Sequence, residues 1–341
     1  MRHRIAVIGA GSWGTAVAAI AAASPEVEQA TLWARRRELA ACVRMRHENP
    51  DYLPGVRLPP GLHATSSLEE ALDRASLLVM AVPSHGFRSV LGEAAGFVVS
   101  GTPVLSLAKG LEQVSHARMT EVVGEVLPAS PAGVLTGPNL AREVVSGEPA
   151  ATVVAMTDPA LASEVQQVLS TPTFRVYTND DVVGSEMAGA TKNVIAIAAG
   201  ICEGLGFGES TRAALITRGL AELGRLVVAM GGDRLTFAGL AGVGDLVATC
   251  ASPLSRNRTI GVRLGAGHSI AEALEGMTMV AEGVKTARPL LELAASHGVE
   301  MPIAAQVAAV IDGTQSPDRA VTELMGRSVK SESEGLGATS R

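Results

Sequence analysis

Short, nearly continuous apolar runs recur through the first half of the chain, each closed by glycine, proline or a polar residue. Residues 4–11 read RIAVIGAG, 30–35 read ATLWAR and 76–84 read SLLVMAVPS. Residues 102–110, 132–137, 150–156 and 173–178 continue the series, and helical patterns lie between most of them, the first over 12–23. Unbroken apolar runs are what strands buried on both faces require, and strand–helix alternation predicts an α/β fold with a doubly wound, mostly parallel sheet. After about Asp180 the runs stop. Long Ala/Leu/Gly/Val stretches at helical spacing replace them, as in TRAALITRGLAELGRLVVAM over 211–230. The expected organisation is a sheet domain over 1–180, an all-helical domain over 181–327, and a boundary between Tyr177 and Gly184. Residues 328–341, SVKSESEGLGATSR, are polar and rich in Gly and Ser and read as a disordered tail. No internal repeat is visible.

The turn after the first run carries chemistry. Gly9-Ala10-Gly11-Ser12-Trp13-Gly14 is GxGxxG, placed between an expected strand and an expected helix. In that context it is the dinucleotide fingerprint of a Rossmann-type sheet. Gly9 makes the tight turn, Gly11 lets the backbone approach a pyrophosphate, and Gly14 lets the helix pack on the strand. The helix N-terminus then favours phosphate charge. The acidic residue that selects NAD belongs at the end of the second strand, and there the chain reads Ala34-Arg35-Arg36-Arg37. An arginine in that place accommodates a 2′-phosphate, so NADPH is favoured over NADH. The competing reading of the triplet is a solvated helix start.

Lysines stand where buried runs end. Lys109 closes the run SLAKG, and Gly137, Pro138 and Asn139 form a turn at another strand end; ligands in doubly wound sheets lie there. A surface loop lysine is the plainer reading of Lys109. Lys192 sits inside GSEMAGATKNVIAIAAG, followed by Asn193, among Gly184, Ala188, Gly189 and Ala190. A buried lysine exchanges protons near neutral pH, whereas an ordinary one snorkels to water. Asp245 follows a flexible Gly242-Val243-Gly244 turn, either as a turn aspartate or as the carboxylate that holds Lys192 or a substrate hydroxyl. Ser255-Arg256-Asn257-Arg258 gathers a hydroxyl, an amide and two guanidiniums, a set suited to phosphate; the plainer reading is a helix start capped by Ser255.

Composition narrows the field. A net charge of -6 argues against nucleic acid as partner. The three cysteines have no CxxC spacing, so neither a zinc site nor a disulfide framework is expected. The N-terminus MRHRIAVIGAG lacks the pattern of a secretory signal, and the apolar runs fall short of the roughly 20 residues that span a bilayer. A cytoplasmic protein without membrane insertion is the expectation.

Taken in order, IGAGSWGTAVA, VPSH, LAKGLE, TGPNLAREV, GATKNVIAIAAG, GFGESTRAALITRGLAE, AGVGDLVATC, SRNR and VAEGVKTA resemble one family over almost the whole chain. It is the NAD(P)-dependent glycerol-3-phosphate dehydrogenases of the soluble bacterial type. The resemblance implies reduction of dihydroxyacetone phosphate to sn-glycerol 3-phosphate with NADPH or NADH, feeding glycerophospholipid synthesis. It implies that Ser12, Trp13, Arg35 and Arg36 contact the dinucleotide, that Ala141 lines the nicotinamide side, and that Val280 and Glu282 close over the cofactor. Lys109 would lie near cofactor and substrate. Lys192 would transfer the proton. Gly137, Asn139, Asn193, Asp245, Ser255, Arg256 and Asn257 would hold the substrate, with Arg256 also reaching the cofactor. At Asn139 many members carry Ser or Thr, which leaves that contact open. A homodimer and no metal are further expectations. Two rivals remain: a dehydrogenase of the same architecture acting on a 3-hydroxy acid or a sugar phosphate, and a non-catalytic NADPH-sensing regulator. The phosphate-suited run, the missing nucleophilic cysteine, and the presence of Lys109, Lys192 and Asp245 count against them.

Overall fold

The computed structural model describes residues 2–277, 281–329 and 331. The expectations for Val280 and for most of the tail fall outside them. The chain divides into two compact units. One takes the described residues up to Lys109 together with Ala117–Ser185; the other takes Gly110–His116 and the described residues from Glu186 onward.

The first unit is built on ten strands: β1 (His3–Ile8), β2 (Val27–Trp33), β3 (Glu48–Asn49), β4 (Leu53–Arg57), β5 (Leu62–Thr65), β6 (Leu77–Met80), β7 (Val104–Ser106), β8 (Ala132–Thr136), β9 (Ala150–Met156) and β10 (Phe174–Asn179). Eight form one sheet in the order β10-β9-β8-β7-β6-β1-β2-β5, while β3 and β4 make a small antiparallel hairpin. Every pair in the large sheet is parallel except β8 with β9. Along β1, Ile5 and Val7 enter one core cluster while Ala6 and Ile8 enter another. The same alternation holds for Leu77 and Val79 against Leu78 and Met80 in β6. Each strand thus serves two faces, and this is why its sequence is apolar at successive positions. β5 reads Leu-His-Ala-Thr at the sheet edge, too short and mixed to stand out as a strand.

The second unit is helical. Its helices Val182–Gly204 and Arg256–Gly265 meet backbone to backbone at two glycine pairs. A Cβ on Gly261 would lie 2.8 Å from Gly200 Cα, and one on Gly265 2.9 Å from Gly204 Cα. Real side chains do not tolerate such contacts, so only glycine permits this crossing. Glu222 is almost wholly buried on helix Glu209–Ala229. Its carboxylate accepts the N–H groups of Ile303 and Ala304, each at 2.9 Å, at the start of helix Pro302–Ile311. Burial nevertheless pushes its pKa up to about 7. Gly110–His116 joins this unit, His116 Nε2 lying 3.0 Å from Glu292 Oε2. No pattern in the sequence announces that excursion.

Candidate functional site

In the first unit the glycine turn has the shape its spacing predicts. Gly9 has φ of 120°, and a Cβ there would sit 2.6 Å from Ala81 O. A Cβ on Gly14 would overlap Gly9 O and lie 2.6 Å from Ala81 Cβ, so helix Ser12–Ala23 rests directly on the turn. At Gly11 a Cβ would meet nothing within 4 Å. The helix has no side-chain cap, and an uncapped first turn offers N–H groups to an anion. Trp13 packs edge-on against Phe174, with ring centroids 6.1 Å apart, and its buried Nε1 has no hydrogen-bond partner among the described residues. Ser12 Oγ donates to Tyr52 O at 2.8 Å. The open cradle at Gly11, the uncapped helix and the orphaned indole N–H fit a dinucleotide.

The three arginines beyond β2 have different surroundings. Arg35 is exposed and makes no hydrogen bond or ion pair among the described residues. Arg36 is paired with Asp51 and lies over the Tyr52 ring, 6.0 Å from its centroid. The hydrogen bond from Arg36 to Asp51 raises the guanidinium pKa above its ordinary value.

Two strand-end residues singled out by the sequence are joined directly. Lys109 Nζ donates to Gly137 O at 2.9 Å. Gly137 has φ of 145°, and a Cβ there would approach Thr152 Cα to 3.1 Å. Thr152 Oγ1 donates to Thr136 O, so it must accept from Asn139 Nδ2 at 2.8 Å. That fixes the amide's orientation and leaves buried Asn139 Oδ1 without a partner among the described residues. Ala141 opens the short helix Ala141–Val145, which has no side-chain cap either.

In the second unit Lys192 does not snorkel. It is 5% exposed, and its Nζ donates to Asp245 Oδ1 at 2.6 Å and to Thr249 Oγ1. Thr249 Oγ1 in turn donates to Asp245 O at 2.6 Å. A buried ammonium is tolerated here because a carboxylate and a hydroxyl replace water around it. Asp245 is therefore the carboxylate that holds Lys192. Cys250 lies close enough for Lys192 and Asp245 to perturb it, but burial pushes its thiol up to about 12, leaving it protonated and inert.

The next residue, Asn193, accepts Asn257 Nδ2 at 2.9 Å, and Asn257 Oδ1 accepts Gly283 N–H at 3.1 Å. A Cβ on Gly283 would come within 2.7 Å of Asn257 Oδ1 and 2.8 Å of Asn193 O. Three segments are thus clamped by one amide. The SRNR run splits in roles. Ser255 Oγ accepts Arg258 N–H at 3.3 Å and caps the helix, the plainer of its two readings. Arg258 pairs with Glu203 at 2.7 Å. Arg256 is exposed and donates no hydrogen bond among the described residues. Desolvation by the surrounding protein lowers its pKa, and the charge of Glu282 raises it. Arg256 is therefore the guanidinium of the run left for an external anion.

Sequence reasoning missed Thr249, Asn49 and Asp51. Thr249 stands four residues after Asp245 on one helix, a spacing that places both on one face. Asn49 and Asp51 lie in a polar stretch without periodicity. No group of three or more His, Cys, Asp or Glu among the described residues could hold a metal ion, and no described helix is long and apolar enough to cross a membrane.

The family models for the N-terminal and C-terminal parts of NAD-dependent glycerol-3-phosphate dehydrogenase match residues 4–162 and 181–322. The chain belongs to the glycerol-3-phosphate dehydrogenase family. It is 51% identical to glycerol-3-phosphate dehydrogenase [NAD(P)+] 2 of Sphingopyxis alaskensis over 332 residues, covering 97% of this chain and 99% of that one. The glycerol-3-phosphate dehydrogenase [NAD(P)+] of Thermobifida fusca is 49% identical, with 98% and 99% covered. Among solved structures, the glycerol-3-phosphate dehydrogenase of Coxiella burnetii superposes with a TM-score of 0.91 at 38% identity, covering 96% of this chain and 99% of that one. The glycerol-3-phosphate dehydrogenase match thus extends through both the glycine turn and the lysine cluster.

Proposed function

We propose that this protein is an NAD(P)-dependent glycerol-3-phosphate dehydrogenase that reduces dihydroxyacetone phosphate to sn-glycerol 3-phosphate, with NADPH preferred and NADH accepted. The observation that carries the reading is the buried Lys192, held by Asp245 and Thr249 one residue before the Asn193–Asn257 clamp. Gly9, Gly11, Ser12, Trp13 and Gly14 hold the dinucleotide, Arg35 its 2′-phosphate, and Ala141 lines its nicotinamide side. When bound, the nicotinamide supplies the hydride. As carbon 2 of the substrate is reduced, negative charge develops on its oxygen, and the Lys192 ammonium gives that oxygen a proton. Asp245 holds and aims Lys192, and in the reverse direction neutral Lys192 takes the hydroxyl proton. Lys109 adds positive potential. Arg256 grips the phosphate, with Asn257, Asn193, Ser255, Gly137 and Asn139 fixing its orientation.

The product is the three-carbon backbone of glycerophospholipids, and supplying their synthesis is the role we assign. The same reading makes the protein a cytoplasmic homodimer. The test is the loss of NADPH absorbance on adding dihydroxyacetone phosphate. Rapid loss supports the reading, and folded protein that binds NADPH yet shows no loss with either cofactor overturns it.

A further inference from the structure

The arginines after β2 are three, but one of them is neutralised within the same unit. Arg35 and Arg37 are exposed and unpaired among the described residues. Arg36 carries Asp51 on its guanidinium and lies over Tyr52. Asp51 is not a casual surface neighbour. It sits at the tip of the β3–β4 hairpin, where Asn49 pairs with Leu53. Asn49 is wholly buried, and its Nδ2 donates to Ala10 O at 2.9 Å and to Thr15 Oγ1 at 2.8 Å. Its Oδ1 accepts Tyr52 N–H at 3.2 Å, and Tyr52 O accepts Ser12 Oγ at 2.8 Å. Arg142 donates to Pro54 O at 2.8 Å on the other side. The segment 49–54 is thus fastened to the glycine turn itself, with Asp51 held beside the arginine run.

An exposed ion pair of this kind contributes only about 0–1 kcal/mol to folding, although the hairpin that carries it is firmly fastened. Its effect on the local field is larger, because it cancels one of the three positive charges of the run.

We infer that Asp51 sets the dinucleotide selectivity: by occupying Arg36 it leaves the 2′-phosphate to Arg35 and restrains the preference for NADPH, so that NADH stays acceptable. The inference rests on the proposed use of a 2′-phosphorylated dinucleotide. It makes Asp51 a specificity-determining residue that need not touch the cofactor.

The test uses the full chain and calorimetric titration with 2′,5′-ADP and with ADP, which differ only in where the second phosphate sits and need no turnover. In Asp51→Asn, 2′,5′-ADP binds about three- to tenfold tighter while ADP changes by less than about twofold. Arg36→Ala exposes the Asp51 charge and weakens 2′,5′-ADP. The double variant returns to near the wild-type value, a rescue that no direct phosphate contact by Arg36 would give. Unchanged 2′,5′-ADP affinity in Asp51→Asn overturns the inference, as does equal weakening of both probes, which would make Asp51 a support of the hairpin alone. If wild-type protein does not favour 2′,5′-ADP and Arg35→Ala changes nothing, the cofactor reading fails and takes the inference with it. NADPH and NADH turnover in the same variants provides a second readout.

Discussion

The glycine turn and the lysine cluster are built on opposite principles. The sheet unit's turn is built on missing side chains: Gly9 and Gly14 make room for protein, and Gly11 leaves open space. The helical unit's cluster is built around a side chain that is costly to bury, made tolerable by Asp245 and Thr249. The first needs six consecutive residues. The second joins residues 53 and 64 positions apart. A local site survives or fails by backbone shape, whereas an assembled site survives or fails by the packing that brings distant segments together.

The largest effect expected is at Lys192. Lys192→Ala should lower turnover by about 100- to 10,000-fold while NADPH affinity, measured by titration, stays within about twofold. Unchanged turnover would make Lys192 structural and would break the contrast. Next, Arg35→Asp should reduce the ratio of NADPH to NADH efficiency by about tenfold or more, since it replaces a charge-assisted phosphate contact with repulsion. An unchanged ratio would move that contact to Arg36 or Arg37.

The glycines sharpen the comparison from the other side. Gly14→Ala should cost about 1–3 kcal/mol of folding stability in urea titration, because its methyl group meets Gly9 and Ala81. Gly11→Ala should leave stability nearly unchanged and weaken dinucleotide binding. Equal effects of both substitutions on stability would show that Gly11 is also a packing residue.

The smallest effect is a pH slope at Glu222. Its folded pKa, about 7, lies above the usual carboxylate value of 4.5. The folded state therefore holds a proton there that the unfolded state has released. This contribution to stability is fully present below about pH 4.5 and is lost as the pH rises through about 7. Glu222→Gln should flatten that part of the stability curve while lowering the whole of it, because one N–H of the helix start loses its acceptor.

How much was legible follows from the same contrast. The β1 run, the glycine turn and helix Ser12–Ala23 are written in adjacent residues, and each level of the pattern agrees with the next. β5 was not legible because an edge strand needs no continuous apolar face. The burial of Lys192 was legible as an oddity, a lysine in an apolar helix. Of its partners Asp245 was named as one of three alternatives that only the structure could choose between, and Thr249 was not seen, since both come from another segment. The division of labour between Arg256 and Arg258 needed Glu203 in view. Asn49 and Asp51 act by reaching another loop, and a polar stretch without period gives no sign of that.

The crossing of helices Val182–Gly204 and Arg256–Gly265 has one further consequence. Lys192 and Asn193 ride on the first helix, Arg256 and Asn257 on the second, and at the two glycine pairs main-chain atoms limit how closely the helices approach. The two glycine pairs act as a gauge block. A carbon added to any of those four residues would push the two helices apart, and Lys192 away from Arg256 with them.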